Sequence, residues 1–136
     1  MNQKITDTGY FPIKSVDLSG DGKMLLVVSG STKVYKNINN KFELFQSYTS
    51  QYSHIYGFLS DDHQWLVLRT YQAQQIEIAQ YDGQKYTSNQ IFNYSSSSES
   101  LNNFVLAPDH MLIVASFKTS SNKYLRVFKH NGTKFN

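Results

Sequence analysis

The stretch Val16-Asp17-Leu18-Ser19-Gly20-Asp21-Gly22-Lys23-Met24-Leu25-Leu26-Val27-Val28-Ser29 decides how this chain is read, because its pattern returns at Gly57-Phe58-Leu59-Ser60-Asp61-Asp62-His63-Gln64-Trp65-Leu66-Val67-Leu68-Arg69-Thr70. The offset is 41 residues. A third copy, aligned with a turn one residue shorter, runs through Phe104-Val105-Leu106-Ala107-Pro108-Asp109-His110-Met111-Leu112-Ile113-Val114-Ala115-Ser116. A second block follows each copy in the same order: residues 32–42, 76–86 and 125–135 align without gaps, and each closes on Lys plus an aromatic. Self-similarity at this period marks a repeat architecture, in which neighbouring units bury apolar surface that one unit cannot bury alone.

Each unit reads as four extended segments. The first ends at an Asp-containing turn, where Asp and Gly favour a tight reversal. The second is a continuous apolar run (Met24 to Val28, Trp65 to Leu68, Met111 to Ala115), which requires cover on both faces. In the third, Val34, Ile76 with Ile78, and Leu125 with Val127 point one way, and Lys33, Glu77 and Arg126 the other. The fourth begins at Lys-aromatic and is the most polar, which suits an outer edge strand. No segment sustains a helical period with caps.

Four strands per unit predict an all-β fold: a partial β-propeller of about three four-stranded antiparallel blades, with approximate limits 5–41, 42–85 and 86–135. The segment Leu18-Ser19-Gly20-Asp21-Gly22-Lys23-Met24-Leu25 and its partner at 106–112 resemble the turn between the first two strands of WD40-type repeats. The family's Gly-His pair and Trp-Asp dipeptide are absent; Val34-Tyr35, Ile78-Ala79 and Val127-Phe128 stand near the Trp position. The resemblance is WD40-like, and other propeller families stay open. Gln3-Lys4-Ile5 also resembles Asn40-Lys41-Phe42 and Thr133-Lys134-Phe135, so the chain is expected to begin in an outer strand. Three units do not close a ring that typically needs four to eight. The remaining blades are then expected in a longer chain or complex, or two copies form a homodimer of six blades.

Composition narrows the chemistry. The 136 residues carry no Cys, so disulfides and Cys-ligated zinc are excluded, and the polar opening MNQKITDT does not read as a signal peptide. An intracellular, cytoplasmic protein is expected. Apolar runs of five residues fall far short of the roughly 20 that span a bilayer, so no membrane partner is expected. Asp17 to Gly22 resembles half of a calcium loop, but Val28 stands where a bidentate carboxylate is needed. The four His residues show no ligand spacing, and no metal or cofactor is expected. No nucleophile elbow or phosphate loop occurs, so the chain is expected not to be an enzyme. The basic stretch Lys118, Lys123, Arg126, Lys129 and Lys134 matches solvated hairpin positions of other units, which makes nucleic acid an unfavoured partner.

These readings predict a protein–protein interaction scaffold. Its loops, 48–54, 94–100, 30–32, 71–75 and 118–123, are expected on one face, with Tyr52, His54, Arg69, Tyr71, Lys118 and Tyr124 as contact candidates. Ser95 to Ser100 reads as a mobile loop. The alternative is a ligand-binding or enzymatic propeller with a small-molecule or sugar site in the central channel.

Overall fold

The computed structural model describes residues 3–6, 11–70, 75–93, 100–107 and 112–136. Three antiparallel sheets follow one another in chain order. The first contains β1 (Ser15–Leu18), β2 (Met24–Val28), β3 (Thr32–Ile38) and β4 (Lys41–Tyr48). The second contains β5 (His54–Leu59), β6 (Trp65–Thr70), β7 (Gln75–Tyr81) and β8 (Tyr86–Asn93). The third holds β9 (Ser100–Leu106), β10 (Leu112–Lys118) and β11 (Lys123–Lys129), each sheet a simple meander. A fourth strand of that sheet is only begun, where Phe135 bridges His130. No helix occurs among the described residues.

The repeated turn forms for a local reason. The Ser19 hydroxyl donates to Asp21 Oδ1 at 2.7 Å and accepts the Met24 N–H at 3.0 Å. Ser60 repeats both contacts, with Asp62 at 2.7 Å and Trp65 N–H at 2.8 Å. Gly22 and His63 hold the same left-handed position, with φ of 69° and 54°. That conformation favours Gly, and here His63 is held by its ring nitrogen 2.7 Å from Asp21 Oδ2 of the preceding sheet. In the third unit Ala107 N–H reaches Leu112 O across five residues, as Ser19 reaches Met24 and Ser60 reaches Trp65. The third turn is therefore not one residue shorter: Leu112, and not Met111, matches Met24.

Pleat alternation divides each apolar run between two neighbours. Met24, Leu26, Val28 and Val34 pack against Leu59, Leu66, Leu68, Ala79 and Tyr86 between the first and second sheets. Val67, Ile76 and Ile78 pack against Leu101, Phe104, Ile113, Ala115 and Phe117 between the second and third. Each fully buried aliphatic side chain contributes about 1.5–3 kcal/mol, so inter-sheet stacking is the principal source of stability. Gly57 lets β5 approach the first sheet: a Cβ there would lie 2.8 Å from Leu26 Cδ2 and 2.7 Å from Leu68 Cδ2.

The outer strands are joined by an amide clasp. Gln46 donates to Tyr86 O at 2.9 Å and accepts Tyr86 N–H at 2.7 Å. Gln90 does the same to Phe135 at 2.6 and 2.8 Å, and Gln3 to Phe42 at 2.7 and 2.8 Å. Gln46 and Gln90 each follow a register shift in their strand, and such a bulge re-aims a side chain. Gln3 thus takes the place of Gln46, which moves Lys4 well past the Lys41 position it resembles in sequence.

Candidate functional site

Glu77 lies on β7, facing the first sheet, and only 4% of it is exposed. Burying a carboxylate is costly unless it is hydrogen-bonded and paired. Here Tyr48 donates to Oε1 at 2.7 Å, Ser50 to Oε2 at 2.7 Å, and His54 Nε2 lies 3.1 Å from Oε2. The other ring nitrogen of His54 sits 2.8 Å from the Thr32 hydroxyl. Burial drives the Glu77 carboxyl upward, but the hydrogen bonds from His54, Tyr48, Ser50 and Ser88 outweigh it and hold the group down to about 2. Burial also raises the Tyr48 hydroxyl, reinforced by its bond to Glu77, which keeps it a donor. Thr32, His54 and Glu77 form a hydroxyl–imidazole–carboxylate chain, with the Thr32 hydroxyl enclosed as the structure stands.

The next junction fills the same four positions differently. Cross-strand register places Ile76, Phe92, Leu101 and Arg126 where Thr32, Tyr48, His54 and Glu77 stand in the first. Ile76 and Leu101 are buried, and the Arg126 guanidinium lies 4.8 Å over the Phe117 ring and 5.4 Å over Tyr124. One junction is locked by a charged hydrogen-bond network and the other by apolar contact capped with a cation over rings.

Above the Glu77 network is a depression of about 310 Å³ lined by Gly30 to Thr32 and by Ser47 to His54. Ser31, Ser47, Thr49, Ser50, Gln51, Tyr52 and Ser53 give it a wall of hydroxyl and amide groups, with no Lys, Arg, Asp or Glu among the described residues that line it. The loop that forms most of this wall joins the outer strand β4 to the inner strand β5, and Tyr48, Ser50 and His54 tether it to Glu77. A second depression of about 280 Å³ shares Ser47, Tyr48 and Thr49 and extends between β4 and β8 to Lys85.

The six contact candidates separate on this geometry. Tyr52 lines the depression and is half-buried. His54 is 3% exposed and belongs to the buried network, so it is not available as a contact surface. Arg69 is half-buried and donates to Asn102 O at 3.3 Å, across the second junction. Lys118 is exposed at the end of β10. Tyr124 stacks on Phe117 with ring centroids 5.6 Å apart, so its face is already occupied. Tyr71 and residues 95–99 of the Ser-rich loop lie outside the described residues, and Ser100 opens β9. Sequence reasoning missed Glu77 and Tyr48; the available signal was an acid inside the otherwise apolar strand Ile76-Glu77-Ile78-Ala79. In the calcium-like stretch, Asp17 Oδ2 accepts the Leu59 N–H at 2.8 Å and Asp21 is engaged by Ser19 and His63, which accounts for these carboxylates as turn and inter-sheet ties.

No protein-family model and no curated protein sequence matches the chain. Solved structures do. Sqt1 of Saccharomyces cerevisiae superposes with a TM-score of 0.74 at 7% identity, over 96% of this chain and 35% of its own. The β-propeller domain of Cps50 (Swd1) from Myceliophteria thermophila gives 0.67 at 14% identity, over 93% of this chain and 42% of its own. The fold is that of a β-propeller segment. Its sheets are WD40-like propeller blades. The segment spans between 35% and 42% of these two propellers.

A third neighbour corrects an expectation. A Bacteroides uniformis protein provisionally named a 6-phosphogluconolactonase gives a TM-score of 0.69 at 15% identity, over 89% of this chain and 37% of its own. A Bacteroides fragilis protein of the same provisional name gives 0.69 at 13%. The expectation that the chain is not an enzyme is overturned by these two: the blade stacking is shared with propellers that carry an enzyme name, and a fold does not by itself assign an activity. Among the described residues no helix is long and apolar enough to cross a membrane.

Proposed function

We propose that this propeller segment presents a polypeptide-binding face centred on the β4–β5 loop, inside the cell and as part of a larger propeller or complex. The observation that carries this reading is the tethering of that loop from beneath. Tyr48, Ser50 and His54 converge on one buried carboxylate, so the hydroxyls and amides above are preorganised. A surface ordered before binding avoids much of the entropic cost of association. Its lining offers donors and acceptors without net charge, which suits the backbone and small polar side chains of a peptide. Tyr52 supplies the aromatic anchor, and Lys118 lies on the same side at the β10–β11 loop. A photo-crosslinking residue placed at Tyr52, compared with one at Gln84 in the hairpin at the opposite ends of the strands, tests this in extract of the source cells. A discrete protein adduct from position 52 alone is expected; equal labelling from both positions overturns the reading.

A second reading rests on the same lining. Hydroxyl and amide walls around about 310 Å³ also suit a small neutral polyhydroxylated ligand, in line with the sugar or small-molecule alternative. The absence of Lys and Arg among the described residues of that lining disfavours a phosphorylated one. Saturable chemical-shift changes at Ser50 and Tyr52 with a neutral polyol series, and no adduct from position 52, distinguish this reading from the first.

A further inference from the structure

We propose that Asn131 converts itself to aspartate, with His130 as the base that activates the Gly132 nitrogen against the Asn131 side chain. Asn131-Gly132 is the single Asn-Gly pair of the sequence and lies in the turn that follows β11. The Gly132 N–H donates to His130 Nδ1 at 3.3 Å. For that nitrogen to accept, the proton of the neutral ring sits on Nε2, which is buried. The ring packs on Trp65 of the second blade and on Phe135, with centroids 5.2 and 4.8 Å away, so the blade junction fixes its aim. The electrophile is prepared as well. Asn131 Oδ1 accepts the Thr133 N–H at 3.1 Å, the Thr133 hydroxyl at 3.0 Å and the Lys134 N–H at 3.0 Å. Donors on a carbonyl oxygen stabilise the negative charge that grows there under attack. Gly132 has a φ of 99°, and no side chain hinders its nitrogen.

As the Gly132 nitrogen bonds to Asn131 Cγ, its proton passes to His130 Nδ1. The Cγ–Nδ2 bond then breaks, and the same proton leaves with Nδ2 as ammonia, giving a cyclic imide. Water opens the imide at Cγ, its hydroxyl joining Cγ and its other hydrogen returning to the Gly132 nitrogen, which leaves aspartate at 131. The second blade already carries that product. Alignment sets Tyr81-Asp82-Gly83 where His130-Asn131-Gly132 stand. Asp82 Oδ1 accepts the Gln84 and Lys85 N–H groups at 2.8 Å each, as Asn131 Oδ1 accepts those of Thr133 and Lys134. Both turns close by the same backbone bond, Asp82 N–H to Lys85 O at 3.1 Å and Asn131 N–H to Lys134 O at 2.9 Å. The Lys85 and Gln84 N–H groups hold the Asp82 carboxyl below its ordinary value, so a carboxylate suits this turn. Tyr81 stands in the place of the base there, and its hydroxyl donates to Gly83 O at 2.9 Å. The turn lies at the strand ends opposite the depression, so the conversion is independent of the proposed binding face.

Purified full chain held for days at neutral pH, with tandem mass spectrometry locating each amide-to-acid conversion, tests this. Conversion at Asn131 is expected ahead of every other Asn in the chain. His130→Tyr, which places the residue of the second blade at this position, should slow it by about tenfold or more. His130→Phe, which keeps an aromatic ring without either nitrogen, should do the same, so the comparison survives if one of the two variants loses the strand signal in circular dichroism. The chain unfolded in urea should also convert more slowly, because neither His130 nor the three donors are then in place. An unconverted Asn131, a native rate in the folded ring variants, or equal or faster conversion in the urea-unfolded chain overturns the proposal.

Discussion

The Tyr48 hydroxyl donates to the Glu77 carboxylate across 2.7 Å, joining the last residue of one blade's outer strand to the third strand of the next. Glu77→Ala would leave that hydroxyl and the His54 N–H, both buried, without their shared acceptor, and would release the half-buried Ser50 hydroxyl to the depression above. Removing one partner of a buried pair costs about 3–5 kcal/mol. The melting temperature should fall by ~10 °C or more, read by circular dichroism. A shift under about 2 °C would show that the network contributes little to holding the blades together.

The second junction shows that the same positions tolerate apolar filling, which gives a sharper test. Thr32→Val, Tyr48→Phe, His54→Leu and Glu77→Met together remove the buried polar groups of the network and leave without Glu77 only the Ser50 and Ser88 hydroxyls, which are half-buried and exposed. Replacing a buried ionic network by packed hydrophobic groups is often neutral or stabilising. The fourfold variant should therefore melt higher than Glu77→Ala alone, a non-additivity expected only if the single variant's loss comes from unsatisfied partners. Its loop should also lose preorganisation, seen as faster amide exchange at residues 49–53 than in the native chain.

Acid should destabilise the segment through two carboxylates. Glu77 is held from the ordinary 4.5 down to about 2. Asp21, raised by burial but bound by the Lys23 N–H, the Ser19 hydroxyl and His63, which together outweigh it, is held from 3.8 down to about 2. Between those values the unfolded chain binds protons that the folded chain does not, so falling pH favours unfolding. Both contributions are complete above about pH 5 and disappear as pH drops toward 2. Asp17 runs in the opposite sense: burial raises its carboxyl, so the stability it adds in acid is lost as pH climbs. Urea titrations should show stability level from pH 5 to 7 and falling below 4.5, with a shallower fall in Glu77→Gln; parallel slopes would contradict the role given to Glu77.

The fold was legible because alternation, the apolar second strand and the Ser-x-Asp turn are local properties that recur. Met24, Leu26 and Val28 announce burial wherever they occur in a strand. The site was less legible because its key contacts join residues far apart in sequence: alternation only sets Glu77 on the side away from Ile76 and Ile78, and that side faces the first blade. The place of His54 beside a loop suggests a contact residue, and the same place buries it beneath that loop. The clasp was hidden by the bulges, which insert one residue before Gln46 and Gln90 and break simple alternation. Its trace was an aromatic four residues ahead of each Gln, at Phe42 and Tyr86.

That clasp carries a prediction of its own. The Gln46 side chain closes a two-bond ring with the Tyr86 main chain, donating to its carbonyl and accepting its N–H. Gln46→Glu keeps the acceptor, loses the donor, and sets a carboxylate against a carbonyl oxygen. Gln46→Ala leaves both main-chain groups to water at the rim. A net loss near 1 kcal/mol per hydrogen bond puts Ala about 1–2 kcal/mol below the native chain, with Glu at least as low because of the repulsion. Amide exchange at Tyr86 should quicken in both variants and stay unchanged at Phe135, which Gln90 continues to hold. If Tyr86 keeps its protection in Gln46→Ala, the β7–β8 hairpin alone secures that N–H, and the clasp does not tie one blade to the next.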